Sequence, residues 1–305
     1  MFYSPLRYPG GKHRLSQSIA EICSLNGING HYLEPFAGGA SVALKLLIEN
    51  KFERITINDY DRAIYAFWYS VLHHSEALCQ RISDTEVNIQ TWNQQKVIYK
   101  AKASADLLSL GFATFFLNRT NRSGILNGGV IGGLEQKGSY KMDCRFNKAK
   151  LVDRIRRIAR LKHRIQVTHL EALSLIQMIQ QDAHAQSVNT LVYFDPPYYA
   201  KGSTLYMNYF DDTQHQALAQ AIQAMKNIPW IVSYDAKPEI QQLYHWVQPE
   251  QIKQFDLHHF AYKKRVGEEI LFFSKGLKLK SSFFFKKVVS QKVEKASEVA
   301  HCDFG

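Results

Sequence analysis

Ten residues, TLVYFDPPYY at 190–199, constrain the fold more than any other part of the chain. Thr190 to Phe194 are five β-compatible residues in a row. An unbroken run of that kind suits a strand covered on both faces, as in a parallel sheet. It stops at an acid and two prolines, and proline cannot continue a hydrogen-bonded ladder. Asp195 is therefore predicted at the carboxyl end of a strand, the edge where open α/β sheets bind ligands. The residues after the strand suggest a chemistry. An exocyclic amino group on a nucleobase is a poor nucleophile, because its lone pair is delocalised into the ring. Two acceptors that take both amino hydrogens draw the nitrogen toward tetrahedral geometry and turn the lone pair to an electrophile. The Asp195 carboxylate and the Pro196 carbonyl are candidates for those acceptors, and Tyr198 for an aromatic face on which an unstacked base lies.

A second constraint comes early in the chain. HYLEPFAGGASVALKLL reads as a strand, a glycine turn at Gly38-Gly39, and a helix from Ala40 to about Glu49. Glycines there allow a tight strand-to-helix turn and close approach of backbone to a nucleotide-like ligand. The turn falls short of GxGxxG, which disfavours a phosphate-gripping dinucleotide loop. The next strand, RITIND, ends at Asp59, 20 residues beyond Gly39. At that spacing an acid at a strand tip reaches the ribose hydroxyls of a bound adenosine. Paired with a distant DPPY, the pattern narrows to S-adenosylmethionine, which has a ribose but no phosphates. Upstream, PLRYPGGKHR forms a Pro/Gly turn among basic residues, with helical spacing following from about Leu15 to Leu25.

These motifs in this order, RYPGGK at 7–12, FAGGA at 36–40, Asn58-Asp59 and DPPY at 195–198, resemble the Dam-type family of DNA adenine methyltransferases over roughly residues 5–275. The resemblance implies a Rossmann-like sheet of seven strands, S-adenosylmethionine as methyl donor, and methylation of the adenine amino group in double-stranded DNA. It implies roles for matching residues. Tyr8 and Lys12 contact the cofactor, Asp59 binds its ribose, and Asp195 serves catalysis and borders the cofactor. Glu34, Phe36, Gly38 and Gly39 line the same pocket by their place in the motif, and Glu171, at the exit of the strand IQVTH, is placed toward the adenine end. Asp at 195 rather than Ser resembles the adenine group. The same geometry serves a cytosine amino group or RNA, and a DNA-binding protein with a relict pocket is the non-catalytic alternative. Intact Asp59, Asp195, Pro196 and Tyr198 speak against the last.

Residues 61 to about 160 break the α/β alternation. DRAIYAFWYSVLHH, the segment around Trp92 to Lys102, and ADLLSLGFATFFL read as helices, so the third strand is delayed by some hundred residues. Residues 118–140, NRTNRSGILNGGVIGGLEQKGSY, are rich in Gly, Asn and Arg with no hydrophobic period. Such a stretch predicts an exposed loop or hairpin, and Arg and Asn are the residues that read guanine and adenine edges. Arg119, Asn121 and Arg122 are the candidate readers; the family places its DNA-recognition domain here, although the loop's interior leaves the target sequence open. From 141 to 166 ten residues are Lys or Arg against two Asp. From Leu151 apolar residues recur near helical period, which predicts a helix with one basic face carrying Arg156 and Arg157 toward phosphates.

The fold class expected is thus α/β, a Rossmann-like methyltransferase sheet with an inserted, mainly helical DNA-recognition domain. Residues 1–60 and 161–276 form a discontinuous catalytic domain, 61–160 the insertion, and 277–305 a tail with no assigned role. A net charge of +11 and a pI near 9.3 favour a polyanionic partner. The four cysteines show no CxxC pairing, and neither His73-His74 nor His258-His259 comes with a third ligand, so no metal is assigned. No apolar run reaches the length of a membrane span and the start carries no signal core, so a cytoplasmic protein is expected, in a bacterial, archaeal or phage context by resemblance. A cognate restriction endonuclease fits the family; the residues decide neither that nor the oligomeric state. The loop after Tyr199 reads as a flap beside the pocket, and the chain ends with a fifth strand, PWIVSYD, and a final strand pair.

Overall fold

Seven strands, β1 (His31–Glu34), β2 (Arg54–Asn58), β3 (Ile165–Thr168), β4 (Thr190–Phe194), β5 (Trp230–Asp235), β6 (Ile252–His259) and β7 (Arg265–Phe273), form one sheet in the order β3-β2-β1-β4-β5-β7-β6. The computed structural model describes residues 3–7, 12, 15–182, 189–199, 210–259 and 265–279, with backbone alone for 256–259 and 265–267. Tyr8, Gly10, Gly11, residues 200–209 of the expected flap, and the tail from 280 lie outside them.

The first five strands run parallel, and β7 enters antiparallel between β5 and β6. From β1 the chain builds outward through β2 to β3; from β4 it builds the other way. The order therefore reverses between β1 and β4, which creates a crevice beyond their carboxyl ends. The FAGGA turn leaves β1 there, and DPPY leaves β4 there.

Pleating explains why the strands have no polar face. Tyr32, Leu191, Tyr193, Ile231, Leu271 and Phe273 enter one apolar cluster, while the alternating neighbours Leu33, Val192, Phe194, Val232, Ile270 and Phe272 enter a second cluster on the other face. Over the first face lie α1 (Leu15–Leu25), α2 (Ser41–Ile48), α3 (Arg62–His73), α4 (Ser75–Asp84), α5 (Ile89–Lys100), α6 (Leu107–Thr120) and α7 (Lys148–Ala159). Over the second lie α8 (Ala172–Gln181), α9 (Asp212–Ala224) and α10 (Pro238–Leu243).

Helix starts are written in the sequence. Asp61, Asn88, Asp106 and Asn147 each accept a backbone N–H of the first turn of α3, α5, α6 and α7, and Asp211 forms a capping box with Gln214 at α9. The α3–α7 interval does not build a separate core: Phe67, Phe115 and Ile155 belong to the cluster that holds Tyr32 of β1. Two elements depart from expectation. Helix α4 was not anticipated, because SEALCQRISD buries only Leu78, Cys79 and Ile82. Helix α6 runs on through Asn118, Arg119 and Thr120, all buried. Among the described residues no helix is long and apolar enough to cross a membrane.

Candidate active site

At the crevice a small set of charges is packed around the DPPY turn. Lys12 and Glu269 are all but sealed, with side chains 2% and 1% exposed, whereas that of Asp195 is 27% exposed. Asp195 is thus the member that opens outward. Its Oδ1 accepts from the Ser233 hydroxyl at 2.8 Å and faces Lys12 Nζ at 3.5 Å. The Lys12 ammonium also donates to Glu269 Oε2 and, at 3.1 Å, to the Tyr198 hydroxyl. That hydroxyl in turn donates to Glu269 Oε1. Three donors therefore have three protein acceptors. What Lys12 gives the pocket is charge and position rather than a further hydrogen bond from its head.

The electrostatics follow from burial. Burial works against the Lys12 charge, but the Asp195 and Glu269 carboxylates outweigh it and hold the ammonium above the usual lysine range. For Asp195 burial raises the proton affinity, Lys12 lowers it and Glu269 raises it again; the net shift is upward. One cation between two carboxylates leaves a local excess of one negative charge. Such a set suits a cationic sulfonium better than a phosphate.

The glycine turn is tied to the neighbouring strand. Gly38, at φ 46°, donates its N–H to Asp59 Oδ2 at 2.8 Å, and Asp59 Oδ1 accepts from Asp61 N at 2.9 Å. Gly38 also lends its carbonyl to the indole of Trp68. The turn and the acid expected to hold a ribose are thus one unit, with Gly39 between Gly38 and the start of α2. Burial, then Asp61, pushes the Asp59 carboxyl up to about 7. Glu34 faces inward: it accepts from Tyr32 Oη and from Ala43 N at the start of α2, both at 3.0 Å. Burial pushes its carboxyl up to about 8. Phe36 is half-buried, edge-on to Phe210 at 5.6 Å.

A family model for D12 class N6 adenine-specific DNA methyltransferases matches residues 8–259, which takes in Lys12, the glycine turn, Asp59 and the DPPY turn. The chain belongs to that class. It is a DNA adenine methyltransferase that uses S-adenosylmethionine as methyl donor. The Type II methyltransferase M.MjaIII of Methanocaldococcus jannaschii is 23% identical over 209 residues, 63% of this chain and 68% of that protein. Solved structures that resemble it include the rRNA methyltransferase aviRa of Streptomyces viridochromogenes, at 13% identity and TM-score 0.38, covering 87% of this chain and 86% of that one. Another is HI0767 of Haemophilus influenzae, at 11% identity and TM-score 0.34, covering 85% and 96%. The family assignment rests on the family model.

The methyltransferase's NRTN segment differs from its sequence-based expectation. Arg119 is 7% exposed and donates from Nε to the Pro5 carbonyl at 2.7 Å. Asn118 accepts from Arg7 N at 2.7 Å and donates to the Arg7 and Gly124 carbonyls. Asn121, 0% exposed, takes the Trp92 indole N–H at 2.7 Å and donates to the Ile125 and Leu126 carbonyls. The side chains of Arg119 and Asn121 therefore face inward: Arg119, with Asn118, clamps the N-terminal segment that leads into Lys12, and Asn121 ties Trp92 to its own loop. Burial and the neighbouring Arg154, Arg7 and Arg145 all lower the Arg119 proton affinity. Gly124 completes the clamp at φ 78°, where a Cβ would stand 2.5 Å from the Arg7 carbonyl oxygen.

Beyond the clamp the loop turns outward. Arg122 is exposed, next to a single antiparallel bridge between Asn121 and Val130, and Leu134 and Tyr140 are 64% and 70% exposed. On α7 the apolar stripe Leu151, Val152, Ile155 and Ile158 is buried. Arg156 and Arg157 lie on its exposed side, Arg156 paired with Glu76 at 2.7 Å and Arg157 over the Tyr3 ring at 5.4 Å. Glu171 is exposed beyond β3. Among the described residues no group of three or more His, Cys, Asp or Glu side chains is arranged to hold a metal ion. Sequence reasoning missed Ser233 and Glu269. Ser233 interrupts the apolar run of WIVSYD, which was the available signal for it; Glu269 stands beside Glu268 ahead of ILFF and gave none.

Proposed function

We propose that the enzyme methylates an adenine turned out of duplex DNA, with Asp195 and Pro196 orienting the amino group and Tyr198 holding the base. The observation that carries this reading is the state of Asp195. It stands at the carboxyl end of β4, partly exposed, with Oδ1 engaged by Ser233 and Lys12. Oδ2 is left to accept an amino hydrogen, and the Pro196 carbonyl is the second acceptor. The upward shift of the Asp195 carboxyl also suits it to take the proton that the methylated nitrogen sheds. Lys12 lies over the Tyr198 ring, 4.8 Å from its centroid, and with Glu269 fixes the ring's position beside Asp195.

The residues present fit the cofactor: the local negative excess suits its sulfonium, and the Asp59 carboxylate at the glycine turn suits a ribose diol. Bound there, S-adenosylmethionine supplies an electrophilic methyl group. Asp59, Gly38, Gly39, Phe36 and Glu34, with Tyr8, Lys12 and Glu171, are the residues assigned to its pocket. Residues 61–160 are assigned to target recognition, with Arg122 reaching toward bases and Arg156 and Arg157 toward phosphates; the net charge of +11 supports a duplex partner. The M. jannaschii relative's description as a Type II methyltransferase supports a setting beside an endonuclease of the same site. A substrate of cellular DNA supports a cytoplasmic setting.

Incubation with tritiated S-adenosylmethionine and duplex DNA, followed by nucleoside analysis, tests the reading. Label in N6-methyldeoxyadenosine from duplex, together with enhanced emission from a fluorescent adenine analogue at the target position, is expected. Label in cytosine or RNA, or unchanged emission on productive binding, overturns it.

A further inference from the structure

We infer that Glu269 is a positioning residue of methyl transfer: it shares the Lys12 ammonium with Asp195 and fixes Tyr198, so that the Asp195 carboxylate keeps its aim with Oδ2 available to the substrate. This rests on the role of Asp195 given above. Glu269 sits 1% exposed on β7, more than seventy residues beyond the DPPY turn. Its partner across the β5–β7 pair is Asp235, which accepts Tyr199 N at 3.0 Å. Residues directly opposite on an antiparallel pair share a face, and Ser233, two residues before Asp235, shares it too. Three side chains on one patch of sheet thus fasten the turn: Ser233 holds Asp195, Glu269 holds Tyr198, and Asp235 holds Tyr199.

The distances show what Glu269 adds. Lys12 Nζ is in hydrogen-bond contact with Glu269 and stands 3.5 Å from Asp195 Oδ1. A sealed ammonium cannot be left unpaired. Without the Glu269 charge, Asp195 is the remaining anion at hand, and an ammonium drawn wholly onto it pulls the carboxylate off the aim that the amino group needs. Glu269 is sealed, with its carboxylate taken by Lys12 and Tyr198, so it acts on the base through its partners rather than by contact. It acts as well on the geometry and proton affinity of Asp195.

The charges predict a sign that a merely structural role lacks. Glu269 raises the Asp195 carboxyl and Lys12 lowers it. In Glu269→Gln the raising influence is gone and Lys12 draws closer. The acid limb of the kcat profile, where Asp195 takes up its proton, therefore moves to lower pH even as the plateau falls. A plateau loss of about ten- to a hundredfold is expected, the range for one hydrogen bond to a charged group. Cofactor affinity by calorimetry should change far less than kcat. Tyr198→Phe removes the hydroxyl arm but no charge, so it should lower kcat without displacing the limb toward acid. If Glu269→Gln does not fold, the comparison of Lys12→Gln with the double variant Lys12→Gln/Glu269→Gln carries the same sign. The double variant should then have its acid limb at lower pH than Lys12→Gln alone. A folded Glu269→Gln with a wild-type plateau, or an acid limb that stays in place or moves to higher pH, overturns the inference. So does a double variant whose limb coincides with that of Lys12→Gln. Asp195→Asn assayed in parallel separates the two readings. If Asp195→Asn turns over normally the catalytic assignment itself is wrong, whereas an inactive Asp195→Asn beside an unmoved Glu269→Gln limb removes only the role of Glu269.

Discussion

Lys12 and Arg156 are both cations in ion pairs, and the protein holds them in opposite ways. Lys12 is sealed between two carboxylates and a tyrosine hydroxyl. Arg156 and its partner Glu76 have side chains 50% and 70% exposed. An exposed pair contributes about 0–1 kcal/mol and is readily exchanged for another partner. Breaking a buried pair leaves a stranded charge and costs about 3–5 kcal/mol. The difference follows from the tasks. At the sheet edge an acceptor must be aimed at one nitrogen, so charges are fixed by mutual burial. On α7, the surface proposed to meet a polyanion of variable register, charges stay solvated and free to re-pair.

The sharpest test of the first half of this contrast is Asp195→Asn. Methyl transfer should fall by about 100- to 10,000-fold, the span of a positioned proton-accepting group. The melting temperature should stay near that of wild type, because an amide still accepts from Ser233. Turnover within tenfold of wild type would break the comparison at its strongest point.

Arg119 tests where the boundary between the two regions falls. Its chain position suggests a reader of DNA, but its burial and its hold on Pro5 make it part of the fixed half. Arg119→Ala should therefore lower stability by about 2–4 kcal/mol, since a buried carbonyl loses its donor and a cavity is left. The surviving folded enzyme should methylate the same sites. A normal denaturation midpoint with altered site preference would return Arg119 to the recognition surface. Changing exposed Arg122 should give the reverse pattern.

Asp59 gives a smaller and pH-dependent effect. Its carboxyl is pushed up to about 7, so the charged form that accepts ribose hydroxyls is lost as pH falls through that value. S-adenosylmethionine should therefore bind more weakly at pH 6 than at pH 8 by several-fold. Asp59→Asn should bind about tenfold more weakly at pH 8, the loss of one charged hydrogen bond, with little pH dependence between those values. Calorimetry at the two pH values checks both statements, and equal wild-type affinity at both would remove the Asp59 charge from the pocket.

The difference between the regions also explains what was legible in the sequence. The positions of Asp195, Gly38 and Asp59 at one sheet edge were legible because a strand stop, a glycine turn and a following strand tip are local patterns, and adjacent parallel strands gather their carboxyl ends at one edge. The strand spans were legible for the same reason: TLVYF at 190–194 occupies β4 without a shift. Glu269 was not legible as a site residue, because its partners Lys12 and Tyr198 are brought to it only by the insertion of β7 beside β5. Arg119 and Asn121 misled for the converse reason. A run of Asn, Arg and Thr looks polar and mobile, yet Asn118 and Arg119 bond the backbone of the N-terminal segment, Thr120 the Phe116 carbonyl, and Asn121 its own loop and the Trp92 indole, which satisfies the polar atoms and permits burial. Composition identified a basic protein; it carried no information on which cations are solvated.

The smallest effect belongs to α7, and it decides whether the solvated half takes part in DNA binding at all. Each phosphate neutralised contributes about 0.9 to the slope of log affinity against log salt. If Arg156 and Arg157 each meet a phosphate, Arg156→Gln/Arg157→Gln should flatten that slope by about 1.8 without changing the methylated sequence. Glu76 refines the test. In the free enzyme it occupies Arg156 through Nε and Nη2, so Arg156 must exchange one anion for another when DNA arrives. Glu76→Gln removes the competitor. It should tighten binding by a few-fold at low salt, with the gain fading as salt rises, because screening weakens exposed charges first. In an Arg156→Gln background the Glu76 substitution should lose most of its effect. A Glu76→Gln gain that persists without Arg156 would mean that Glu76 repels the duplex directly. A slope unchanged by the double arginine substitution would assign α7 to packing alone and move the phosphate contacts to another basic surface.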